Sequence, residues 1–96
     1  MPMLKRTDQF DRWLKDLDTK AKAKVTTKVQ RFGMGNQGDV APVGNGVSEM
    51  RIHWGPGYRV YFRQYGDTAT LLYGGIKDTQ DADISKAKAI ADDLEE

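Results

Sequence analysis

At Val47 the hydrophobic period of this chain drops from that of a helix to that of a strand, and the helical period returns only beyond Gly75. Upstream, Phe10, Trp13, Leu14 and Leu17 form one apolar stripe at helical spacing, with Thr7 or Asp8 placed to cap it. Asp18-Thr19 breaks and recaps the chain, and Ala21, Val25, Val29 and Phe32 continue as a second stripe, with Lys20, Lys24, Lys28 and Arg31 on another face. Two amphipathic helices with so short a connection are expected to form an antiparallel hairpin. Met3 to Arg6 reads as a short opening strand. Five of the ten glycines fall between Gly33 and Gly46, which is expected to be a loop ending in a tight Asn45-Gly46 turn.

From Val47 onward, residues alternate. Gly55-Pro56-Gly57 and Gly66-Asp67 divide this region into three strands, the last running from Thr68 to Tyr73 and ended by Gly74-Gly75. A final helix follows from about Asp78 or Thr79, with Ile84, Ala87, Ala91 and Leu94 as its stripe. The expected architecture is α+β: a helical hairpin packed on one face of a small antiparallel sheet, with a C-terminal helix. A slip of one residue would turn every strand side chain over, so the pattern selects the pairing. The consistent choice places Met50, Ile52 and Trp54 with Tyr58, Val60 and Phe62 beneath the helices. It leaves Glu49, Arg51, His53, Arg59, Tyr61 and Arg63 together on the opposite face. Guanidinium forks match phosphate geometry, and an aromatic ring can stack on an unpaired base, so two readings of this face stay open: a phosphate or nucleic-acid surface, and a polar sheet face that is simply solvated. Lys77 adds a cation just before the final helix, where backbone N–H groups favour anions.

Other motifs fail on context. Gly33-Met34-Gly35-Asn36-Gln37-Gly38 spells a dinucleotide fingerprint, yet a helix precedes it where a strand is needed. Asp78, Asp81 and Asp83 lack the glycine and glutamate of a calcium loop and read as first-turn acids. With one histidine and no cysteine, no zinc site, thiol chemistry or disulfide is expected, and no metal or other cofactor. Neither Ser48 nor Ser85 suits a serine triad. No apolar run approaches a membrane span, and Met1-Pro2-Met3-Leu4-Lys5-Arg6 lacks a signal-peptide core, so a cytoplasmic protein with no membrane partner is expected. The 96 residues suit one small domain, residues 1–96. Fifteen Lys+Arg against 14 Asp+Glu give a net charge of +1, but residues 1–77 carry 13 and 7, and residues 78–96 carry 2 and 7. A basic body is thus joined to an acidic last helix. Asp92, Asp93, Glu95 and Glu96 oppose the macrodipole of that helix, whose last turn should fray unless a partner orders it.

Phe10-x-x-Trp13-Leu14, Gly35-Asn36-x-Gly38-Asp39 and Val43-Gly44-x-Gly46-Val47-x-Glu49-Met50-Arg51-Ile52 resemble the phage-related addiction-module killer proteins. These form the HigB/RelE-like branch of the RelE/ParE toxin superfamily. Gly55-Pro56-Gly57-Tyr58-Arg59-Val60-Tyr61-Phe62 and Leu71-Leu72-x-Gly74-Gly75-x-Lys77-x-x-Gln80-x-x-Asp83-Ile84 continue the resemblance over nearly the whole chain. It implies a RelE-like fold and the toxin of a type II toxin–antitoxin module, neutralised by a cognate antitoxin, usually a small helix-turn-helix protein. It also implies metal-independent cleavage of messenger RNA on the ribosome.

On that reading Arg51 and Arg59 clamp the scissile phosphate and Lys77 approaches it. His53, the residue type that titrates near neutrality, moves protons, and Glu49 is an alternative base. Trp54, Tyr61, Arg63 and Gln80 are the candidates for holding flanking nucleotides. The sequence departs from the resemblance in having no lysine from Val47 to Tyr73, and neither tyrosine nor histidine in the last helix. A toxin that holds DNA gyrase without cleaving RNA, and a degenerate toxin that only binds antitoxin, stay open.

Overall fold

A computed structural model describes residues 2–94. Strand β1 (Met3–Arg6) leads into helices α1 (Asp8–Lys15) and α2 (Thr19–Gly33). Strands β2 (Asp39–Gly44), β3 (Val47–Ile52), β4 (Tyr58–Tyr65) and β5 (Thr68–Ile76) follow, then a single 3-10 turn (Lys77–Thr79) and helix α3 (Gln80–Asp92). The protein is α+β, with one five-stranded sheet in the order β1-β5-β4-β3-β2. Among the described residues no helix is long and apolar enough to cross a membrane.

The helix starts follow their capping chemistry. Thr7 Oγ1 accepts from the Phe10 N–H at 3.0 Å, and Asp18 accepts from the Ala21 N–H at 2.8 Å. Both helices lie on one face of the sheet. Phe10, Leu14, Ala21, Val25, Val29 and Phe32 bury against Met50, Ile52, Tyr58, Val60, Phe62 and Leu71, with Trp13, Leu17 and Trp54 at the margin. The expected register holds: Met50 pairs with Val60 and Ile52 with Tyr58.

Several expectations need correction. The sheet is mixed, because β1 runs parallel to β5. The segment expected to be a loop contains β2, which pairs antiparallel with β3 as an edge strand. Pro42 within it removes a strand donor, which an edge tolerates. Nor do Gly74 and Gly75 end the last strand; β5 runs through them to Ile76. Trp13 lies where a side chain on Gly74 would project, and Asp83 where one on Gly75 would. The two glycines are places of close approach from opposite faces.

The largest correction concerns the polar face, half of which α3 covers. Val47, Tyr61 and Leu72 bury there against Ala87, Ile90 and Ala91 in a second, smaller core. The β4–β5 register shifts after Tyr61, so that Leu72 and Tyr73 both join this core beside Ile84 and Leu94. Asp92 and Asp93 end α3. Glu95 and Glu96, named in the fraying expectation, lie outside the described residues.

Candidate functional site

The uncovered half of the α3 face is organised by strand register. Asp39 on β2 pairs with Arg51 on β3, Arg51 with Arg59 on β4, and Arg59 with Gly75 on β5. Because Gly75 has no side chain, the Asp83 carboxylate of α3 occupies the end of this row. The order across the sheet is therefore acid, base, base, acid. One row further along, Glu49 pairs with Tyr61.

Glu49 is the hub. Its side chain is only 2% exposed, yet it is a carboxylate, and Arg51, Arg59 and Gln80 all turn polar groups to it. Oε1 accepts from Arg51 Nε at 2.8 Å, and Oε2 stands 3.8 Å from Arg59 Nε. The Gln80 amide, from the first turn of α3, donates to Oε1 at 3.2 Å and Oε2 at 2.9 Å. A buried carboxylate is sustained only when paired and hydrogen-bonded in this way. The pairing also raises the Arg51 pKa above its ordinary value, through the Glu49 hydrogen bond first and the Glu49 charge next.

Exposure then sorts the cations: the Arg51 side chain is 36% exposed and that of Arg59 only 11%. Arg59 Nη1 donates to the Gly57 carbonyl at 2.7 Å. Its buried Nε has no hydrogen-bond partner among the described residues. Gly57 has φ +79°, and a side chain there would press on Arg59 Nη1 and on the Lys77 β-carbon. A glycine at this turn therefore lets Arg59 and Lys77 approach the same point. His53 is 73% exposed, and its Nε2 lies 2.7 Å from Asp39 Oδ2. The hydrogen bond from His53 lowers the Asp39 pKa, outweighing an opposing effect of burial, and the Arg51 charge adds to the lowering. An ionised Asp39 accepts only, so in this contact His53 donates from Nε2.

Arg51, His53 and Arg59 are thus brought together, with Lys77 at the rim. Tyr61 is not available to a base: it is buried beneath α3, and its hydroxyl has no hydrogen-bond partner among the described residues. Burial first, then the Glu49 and Asp83 charges, push its pKa up. Arg63 stands apart from the row. It pairs with Val47, and its Nη1 donates to the Ala91 carbonyl near the end of α3 at 3.0 Å. Gln80 spends its amide donors on Glu49. Trp54 lies on the helical side, its ring 6.1 Å from that of Tyr58 at 19°. Asp39 and Asp83 are the participants that sequence reasoning missed, since only the β2 pairing and the α3 packing bring them in.

The class so defined is a small α+β protein with a carboxylate-organised arginine row on the open half of a mixed sheet. The chain is 46% identical over 93 residues to an uncharacterized protein of Haemophilus influenzae, covering 95% of this chain and 94% of that one, and it belongs to that protein's family. No family model matches the sequence.

Proposed function

We propose that the chain has the RelE-like fold and is the toxin of a type II toxin–antitoxin module, an endoribonuclease that cleaves messenger RNA on the ribosome without a metal. The observation that carries this reading is the Arg51–Arg59 cross-strand pair, organised by a buried Glu49 and flanked by an exposed His53–Asp39 pair. The motif resemblance over nearly the whole chain supports it. RNA supplies its own nucleophile. The ribose 2′-oxygen forms a bond to phosphorus as the bond from phosphorus to the 5′-oxygen breaks, leaving a 2′,3′-cyclic phosphate and a 5′-hydroxyl. The 2′-OH proton has to leave and the 5′-oxygen has to gain one.

In this scheme Arg59 and Arg51 stabilise the charge that builds on the phosphate, and Lys77 adds to the field from the rim. His53 moves a proton at Nδ1, its ring fixed by Asp39. Glu49, enclosed by Arg51, Arg59 and Gln80, acts as a positioning residue and not as the base. The cognate antitoxin, a small helix-turn-helix protein, and the ribosome are its partners in the cytoplasm.

One observation favours a second reading, a non-enzymatic toxin that holds a target such as DNA gyrase: Arg51 is already paired internally with both Glu49 and Asp39. The two separate on transcripts. Ribosomes programmed with a defined message are incubated with wild type, Arg59→Ala and His53→Ala, and the message is mapped. The nuclease reading expects cuts by wild type and a loss of about 10²–10³-fold in Arg59→Ala, as for removal of one transition-state donor. Wild-type protein that arrests growth with intact messages and damaged DNA supports the second reading.

A further inference from the structure

We infer that the cleft on the other side of the sheet edge, between α2 and the turn after β3, binds single-stranded RNA and leads it to the arginine row. The cleft encloses about 470 Å³, and its walls include Lys20, Lys24, Lys28, Arg31, His53 and Trp54 but no acidic residue. Lys20, Lys24 and Lys28 recur every four residues along α2, about 6 Å apart along the axis. With Arg31 they make a track of cations on one side of the helix. None of the four has an ion pair among the described residues, in contrast to Arg51, Arg59 and Arg6. Such a track is a liability for folding, since the charges repel, and it becomes favourable against a polyanion.

An aromatic surface accompanies it. Lys24 Nζ lies 5.7 Å from the centre of the Trp54 ring, which is half-buried and held by its stack on Tyr58. Cations alternating with a braced aromatic ring suit a single strand, whose phosphates take the cations and whose bases take the ring. An acidic peptide would use the lysines but leave the tryptophan without a role. The join to the arginine row is His53, which lines the cleft and also pairs with Asp39 at the end of that row. The path of the strand rests on the nuclease reading of the row.

The test measures binding of a 2′-O-methyl RNA of roughly 12 nucleotides, which presents phosphates and bases but has no free 2′-hydroxyl to attack. Affinity is followed against salt for wild type, for Lys24→Gln/Lys28→Gln, and for Lys86→Gln/Lys88→Gln on α3, which changes the net charge equally. The cleft variant is expected to bind about 10-fold more weakly, with a salt slope shallower by about 1.4, the loss of two phosphate contacts on a single strand. The α3 variant should match wild type. Equal losses in both variants, an unchanged slope in the cleft variant, or binding of a polyglutamate peptide in preference to the RNA would overturn the proposal. Cleavage of a ribosome-bound message is scored separately. Cleft-dependent binding without cleavage removes the nuclease reading and leaves the cleft standing.

Discussion

On one face of the sheet, α1 and α2 close an apolar layer built on Phe10, Val25, Phe32, Met50, Val60 and Leu71. On the other face, α3 covers Val47, Tyr61 and Leu72 and then gives way to Asp39, Glu49, Arg51 and Arg59. The same strands supply both faces, by alternation. The helical face is specified by shape, because nothing there needs a partner of particular polarity. The α3 face is specified by charge, because Glu49 is buried and its carboxylate oxygens need donors. Apolar packing is concentrated in the first and charge pairing in the second.

Adjacent glycines offer the strongest way to break that comparison. A methyl on Gly74 would come within 2.3 Å of the Trp13 ring, which Phe10 and Tyr58 hold in place at centroid distances of 5.8 and 6.3 Å. Gly74→Ala should destabilise the fold by about 3 kcal/mol, the upper range for overpacking. Gly75→Ala meets the short Asp83 side chain, whose carboxylate can turn away at the loss of its Thr79 hydrogen bond, and should cost about 1–2 kcal/mol. Urea unfolding of both variants checks the order; equal losses would mean that the faces do not differ in rigidity.

Next in size is the hub. Glu49→Ala leaves Arg51 and Arg59 without their shared carboxylate and should cost about 2–3 kcal/mol, less than a fully buried pair because Arg51 reaches solvent. Glu49→Gln should lose somewhat less in the same unfolding measurement, since one oxygen still accepts while the new amide nitrogen faces donors.

Tyr61→Phe should go the other way. It removes a buried hydroxyl with no partner among the described residues, so it should be neutral or stabilising by up to about 1 kcal/mol. The sign with pH is also fixed. The folded phenol has a raised pKa, so its contribution is present below the unfolded value of about 10 and is lost as pH rises through the folded value. Unfolding measured from about pH 9 to 11 should therefore show wild type losing stability faster than Tyr61→Phe.

The smallest effect belongs to Asp39→Asn. The lowered Asp39 pKa means a contribution present above about pH 4 and lost as pH falls through the folded value, so the variant should have a slightly flatter acid limb.

Much of this was legible in the chain. Helical spacing located α1 and α2, alternation put Met50 opposite Val60, and the same parity grouped Arg51, His53 and Arg59. What escaped depends on contacts between distant segments. β2 carries one proline and closes on a glycine, so its own propensity is weak and only pairing with β3 makes it a strand. The parallel β1–β5 pairing joins residues more than sixty positions apart. Alternation already put Val47 on the Tyr61 face, but the shift at Leu72 defeats it on β5, and with it went the warning that Leu72 and Tyr73 both share that face. The apolar stripe of α3 needed a cover, and that face was the one available. For the same reason Asp83 could not be assigned to the arginine row before Gly75 was known to lie beneath it.

The chemistry of the cut ends tests the central claim most directly. Fragments from a ribosome-bound message treated with wild-type protein should carry 2′,3′-cyclic phosphates and 5′-hydroxyls, and Arg59→Ala should yield about 10²–10³-fold fewer of them. Fragments ending in 3′-hydroxyl and 5′-phosphate, or an intact message, would contradict it.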